Sequence, residues 1–119
     1  MDKRVAAKAQ VAPGGARLAI DPTELGAHAE AAAALLRAMS GKARLLVLCN
    51  LVHGERSVGE LQRIVGLSQS ALSQHLALLR EDGLVAFRRE SQTLFYRVSD
   101  PRAARILKLL KDIYCGNLA

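Results

Sequence analysis

Three small sets of side chains carry the groups that could do chemistry. The first is the pair of cysteines, Cys49 and Cys115. A thiol acts as a nucleophile only as its thiolate, so its surroundings decide its use. His53 lies one helical turn after Cys49 and Lys111 one turn before Cys115, giving each thiol a cationic group on its own helix face. That spacing permits redox chemistry, and it equally permits two small buried hydrophobes. Cysteine catalysis fits poorly, because Cys49 lies inside an apolar run and no third group or oxyanion site accompanies it. The chain is therefore read as a non-enzyme, with no cofactor.

The second set is uncharged. Ser68 is a natural helix N-cap, and at about 100° per residue the helix that follows puts Leu72, His75, Leu76 and Leu79 on one side. Gln69, Ser70, Ser73, Gln74 and Arg80 fall on the other. A solvated helix face normally carries Glu and Lys. One that opens with Ser and Gln offers groups that both donate and accept, which suits base edges in a DNA major groove. His75, on the apolar side, reads as a packed histidine, and His28 as a surface residue. The third set flanks a turn: Arg88 and Arg89 before it, Gln92 and Thr93 after it. Cations and hydrogen bonders there can lie along a phosphate backbone.

The elements that must hold these groups follow from caps and periodicity. Residues 1–20 show no sustained period and read as a mobile basic arm. Asp21-Pro22-Thr23-Glu24 opens a helix to about Met39. Lys42 to His53, apolar on most faces, reads as a central helix buried nearly all round, ended by Gly54. Ser57 and Glu60 form a capping-box pattern that opens a third helix, stopped by Gly66. The Ser68 helix runs to about Asp82 before Gly83, and two helices joined by so short a turn form a helix-turn-helix. Val85–Arg89 and Thr93–Val98 read as a two-stranded hairpin, the wing. Asp100-Pro101 then begins a final helix ending near Gly116. The expected fold is mainly α: a winged helix-turn-helix of about five helices plus a two-stranded wing over residues 21–119.

Composition sets the bounds. The 119 residues are 50% hydrophobic, enough for one small core. The net charge of +6 favours an anionic partner, although half of it lies in the first 20 residues. No apolar run approaches the roughly 20 residues that span a bilayer, and no secretion signal is evident, so a reducing cytoplasm is expected and no membrane partner. There a permanent disulfide is not expected.

From about residue 22 onward the chain resembles the ArsR family of bacterial repressors. The resemblance rests on Glu55-Arg56-Ser57-Val58-Gly59-Glu60-Leu61, on Leu67 to Leu76 and on Gln92-Thr93-Leu94-Phe95-Tyr96-Arg97. It implies a homodimer assembled through the first and last helices, with paired recognition helices on a palindromic double-stranded operator. Independently, both terminal helices carry more apolar residues than so small a chain can bury alone. Many members of the family sense metals. Here the cysteine positions of one metal site hold Ser57 and Gly59, and of the other site Asp100 alone keeps its ligand type, the remaining positions holding Arg102, Ile113 and Gly116. A single carboxylate does not hold zinc, so no metal site is expected. The cysteine placement instead resembles the sulfide- and persulfide-responsive, BigR/SqrR-like branch, carried by Arg44 to Cys49 and Asp112-Ile113-Tyr114-Cys115. That branch implies that Cys49 and Cys115 become linked by an oxidant or persulfide, after which the repressor leaves DNA. The alternative is a repressor answering a metal or another signal, its cysteines merely structural. One departure is Ser91, where the resemblance leads us to expect Gly at the wing turn.

Overall fold

The computed structural model describes residues 21–116. The basic arm expected over residues 1–20 lies outside the described residues. Two units divide the chain, one up to Ala34 and one from Leu35 onward.

In the first unit Asp21 caps α1 (Pro22–Ala27), accepting from the Thr23 N–H at 2.9 Å, with Pro22 in the first turn. The single helix expected to Met39 is interrupted. Gly26 weakens the last turn of α1, and the His28 N–H turns back to the Leu25 carbonyl at 2.9 Å before α2 (Ala29–Met39) begins.

The second unit holds the last residues of α2, then α3 (Lys42–Leu51), β1 (Arg56–Ser57), α4 (Val58–Val65), α5 (Gln69–Glu81), β2 (Val85–Glu90), β3 (Thr93–Val98) and α6 (Pro101–Tyr114). Its core joins Val47, Leu48 and Leu51 of α3, Leu61 of α4 and Leu72, Leu76 and Leu79 of α5 to Leu84, Val85, Tyr96, Ala103 and Leu107. Each fully buried Leu or Val contributes about 1.5–3 kcal/mol. The expectation that α3 is buried nearly all round is corrected: Leu46 is 41% exposed and Cys49 is exposed. With apolar residues on every face, which of them become covered depends on the partners that happen to pack there.

The described elements number six helices and three strands, against the five helices and two strands expected. The sheet order is β1-β3-β2, all antiparallel, with Arg56 opposite Tyr96 and Ser57 opposite Phe95. The hairpin runs in register from Val85 opposite Val98 to Glu90 opposite Thr93, leaving Ser91 and Gln92 as the turn. Ser91 takes φ +57°, the left-handed conformation for which Gly was expected. At the wing base the Ser99 N–H donates to the Leu84 carbonyl at 2.8 Å and the Ser99 hydroxyl to the Gly83 carbonyl at 3.2 Å.

Candidate nucleic-acid interface and thiol pair

The reading helix is fixed at both ends. Ser68 caps α5 by accepting the Ala71 N–H at 3.1 Å, and its hydroxyl lies 3.5 Å from that of Ser70. Gly83, at φ +76°, closes the far end and donates to the Arg80 carbonyl at 2.9 Å. The α4 helix before it has the complete capping box: the Glu60 N–H donates to Ser57 Oγ at 3.1 Å and the Ser57 N–H to Glu60 Oε1 at 2.9 Å. That backbone N–H, ahead of the other contributions, holds the Glu60 carboxyl below its usual range. Leu72, Leu76 and Leu79 seat α5 on the core, while Ser68, Gln69, Ser70, Ser73 and Gln74 are all exposed. His75 is partly buried as expected, and its Nδ1 is covered without a hydrogen-bond partner among the described residues.

Between α4, α5 and the wing runs an open groove of about 490 Å³, to which Gln69, Ser73 and Arg80 contribute from α5 and Gln92 and Thr93 from the wing. No carboxylate among the described residues lines it. Five of the residues singled out from sequence, Gln69, Ser73, Arg80, Gln92 and Thr93, are thereby brought to one surface. Gln62 of α4 also lines the groove and was not foreseen; its polar position beside the helix turn was the available signal.

The two wing arginines differ. Arg89 is exposed and has no ion-pair partner among the described residues. Arg88 is already engaged: Nε donates to both Glu55 oxygens at 2.9 and 3.1 Å, and Nη1 to Glu90 Oε1 at 2.9 Å. Hydrogen bonding to Glu90, then to Glu55, pushes the guanidinium further toward its charged form. Glu55 was also missed from sequence, because its role depends on the unforeseen strand β1.

Both thiols are exposed and unlinked, which overturns their reading as buried hydrophobes. Cys49 lies on the outer side of α3 between buried Leu48 and Leu51, and Cys115 is the C-cap of α6, its N–H bonded to the Lys111 carbonyl at 2.8 Å. Partial burial pushes the Cys49 thiol up from about 9.0, and negative charge on Cys115 adds to the rise. The acidifying influence expected from His53 is not what governs Cys49.

No group of three or more His, Cys, Asp or Glu side chains among the described residues is placed to hold a metal. Asp100, the one retained ligand type, is buried and used otherwise. It accepts the Arg102 N–H at 2.8 Å as N-cap of α6, and its two oxygens take Arg102 Nε at 3.1 Å and Nη2 at 2.7 Å. Arg102 stands where the family's metal sites have a histidine.

Residues 41–86 match the family described as "Bacterial regulatory protein, arsR family". The chain is 49% identical over 92 residues to the transcriptional activator HlyU of Vibrio cholerae, covering 77% of this chain and 85% of that one. It is 43% identical over 89 residues to the biofilm growth-associated repressor of Xylella fastidiosa, covering 75% and 78%. Among solved structures, the repressor BigR from Xylella fastidiosa aligns with TM-score 0.77 at 39% identity, over 82% of this chain and 100% of that one. A structure described as reduced HlyU from Vibrio cholerae aligns with TM-score 0.74 at 49% identity, over 77% and 97%. These relatives are named as transcriptional regulators and not as enzymes.

Proposed function

Because this chain belongs to the ArsR family of bacterial DNA-binding regulators, we propose that it is a homodimeric cytoplasmic repressor whose hold on operator DNA is released when Cys49 and Cys115 become linked. The observation that carries the DNA half is the exposed, uncharged opening of α5. Gln69, Ser70, Ser73 and Gln74, with Ser68 at the cap, face the base edges of the major groove, where each good bidentate contact discriminates by about 1–3 kcal/mol. Gln92 and Arg89 of the wing run along the backbone and set register. Alanine at all four α5 positions is expected to abolish preference for the operator while leaving salt-dependent nonspecific binding and the fold intact. Operator preference that survives the four substitutions would reassign the reading face.

The switch rests on the placement of the two thiols, both exposed, one on α3 and one at the C-cap of α6, and on the relation to a regulator described in a reduced form. Joining two thiols removes two electrons and two protons, so a disulfide, polysulfide or persulfide must take them up and leave as thiol or sulfide. A direct bond requires Cα atoms about 4.4–6.8 Å apart, and extra sulfur atoms would lengthen the bridge where the helices stand further apart. The link would tie α3 to the end of α6, and a small change there alters the spacing of two recognition helices that must match half-sites about one DNA turn apart. Dimerisation falls to the apolar surface left on α6, with Leu109 and Ile113 each 58% exposed and Tyr114 81%.

A further inference from the structure

Arg88 stands where a phosphate contact was expected, yet its surroundings fit another task. We propose that Arg88 is a positioning residue that clips the wing to the start of the helix-turn-helix through Glu55, and that it does not contact DNA phosphate. The inference rests on the reading that the wing touches DNA.

The geometry runs across the sheet. Arg88 of β2 is opposite Phe95 of β3, and Phe95 is opposite Ser57 of β1, so the three form one cross-strand row. The guanidinium carbon lies 4.6 Å from the centroid of the Phe95 ring. From there Nε grips both oxygens of Glu55, two residues before Ser57. The side chain therefore bridges the outer strand of the wing to the chain leading into β1, with the Phe95 ring as its support. The far end of the clip is itself anchored. Arg56 Nε donates to the Asn50 carbonyl in the last turn of α3 at 3.0 Å, and Ser57 is the N-cap of α4. A continuous set of contacts thus joins α3, the start of α4 and the strand that carries Arg89.

The charges agree. One guanidinium faces two carboxylates, Glu55 and Glu90, so an approaching phosphate would meet a site whose sum is negative. Arg89, the next residue along the strand, points to the opposite face of the sheet and meets no carboxylate among the described residues. Partly exposed ion pairs contribute little to global stability. The consequence of losing this one is therefore a wing free to change its angle, not an unfolded domain.

The experiment measures operator affinity across a salt series for Arg88→Ala, Glu55→Gln, the double variant, the charge swap Arg88→Glu with Glu55→Arg, and Arg89→Ala. The expected result is that Arg88→Ala and Glu55→Gln each weaken binding by about three- to tenfold, with no further loss in the double variant. Their salt slopes stay parallel to wild type and the charge swap recovers affinity. The proposal is overturned if Arg88→Ala flattens the slope by about one charge while Glu55→Gln tightens binding, as a phosphate contact freed of its carboxylate would do. Arg89→Ala reports on the wing separately: weaker binding with a slope lower by about one charge supports wing contact whatever Arg88 does. If Arg88→Ala and Arg89→Ala both bind as wild type, the wing does not touch DNA and the clip has no function there.

Discussion

The helices α5 and α6 are both amphipathic, yet α5 comes closer to completing its packing within the chain. Leu72, Leu76 and Leu79 of α5 are 0–2% exposed, so these three leucines are spent on the core, with Leu78 at 37% left at the margin. In α6, Ala103 and Leu107 are buried, whereas Leu109, Ile113 and Tyr114 stay open to solvent. A helix that is already seated can offer its other face to a ligand. A helix with large apolar side chains left over needs a second protein surface.

The largest effect should come from attacking that leftover face. Replacing Leu109 and Ile113 together with Glu is expected to give a folded monomer, since neither residue is in the core. Operator affinity should fall roughly a hundredfold or more, because two half-sites are no longer engaged together. Sedimentation velocity with a binding titration checks this. A variant that stayed dimeric would place the dimer interface elsewhere.

The contrast between the two helices was only partly legible in the sequence. The α5 helix was clear because its signals agree: Ser68 caps it, leucines recur at Leu72, Leu76 and Leu79, and Gly83 stops it. The wing hairpin was clear for similar reasons. Strand β1 was not, because Arg56 and Ser57 carry no β signal of their own and pair with Tyr96 and Phe95 far along the chain. Without β1 there was no reason to connect Glu55 with Arg88. The exposure of Cys49 was hidden for a different reason, since α3 is apolar all round and its periodicity assigns no face. The break at His28 was missed because the Asp21 capping signals and the Ala-rich run outweighed Gly26.

A smaller effect tests how α6 is started. Asp100→Ala removes an N-cap and the partner of Arg102, and is expected to cost about 0.5–2 kcal/mol at pH 7. Bonding to Arg102 holds the Asp100 carboxyl below its usual range. Its stabilisation is therefore present above the ordinary carboxylate value near 3.8 and disappears as pH falls through the lower folded value. Urea unfolding should show the gap between wild type and variant closing in acid. An unchanged gap at pH 2 would mean that the carboxylate charge is not what matters.

The smallest effect concerns the thiols. Burial is the main reason the Cys49 thiol is raised and Cys115 the lesser one, so Cys115→Ser should bring Cys49 only part of the way back toward 9.0. The pH dependence of Cys49 alkylation reads this directly. A Cys49 profile that does not move in the Cys115→Ser protein would show that the two sulfurs do not interact.

The most direct measurement is operator binding by wild type, Cys49→Ser, Cys115→Ser and the double serine variant before and after persulfide treatment, with the sulfur link mapped by mass spectrometry on the same samples. The thiol switch predicts an intrachain Cys49 to Cys115 link and loss of operator affinity in wild type, no loss in any serine variant, and little response to zinc. It is contradicted if the double serine variant still releases DNA on persulfide treatment, or if linked wild type binds its operator as tightly as the reduced protein.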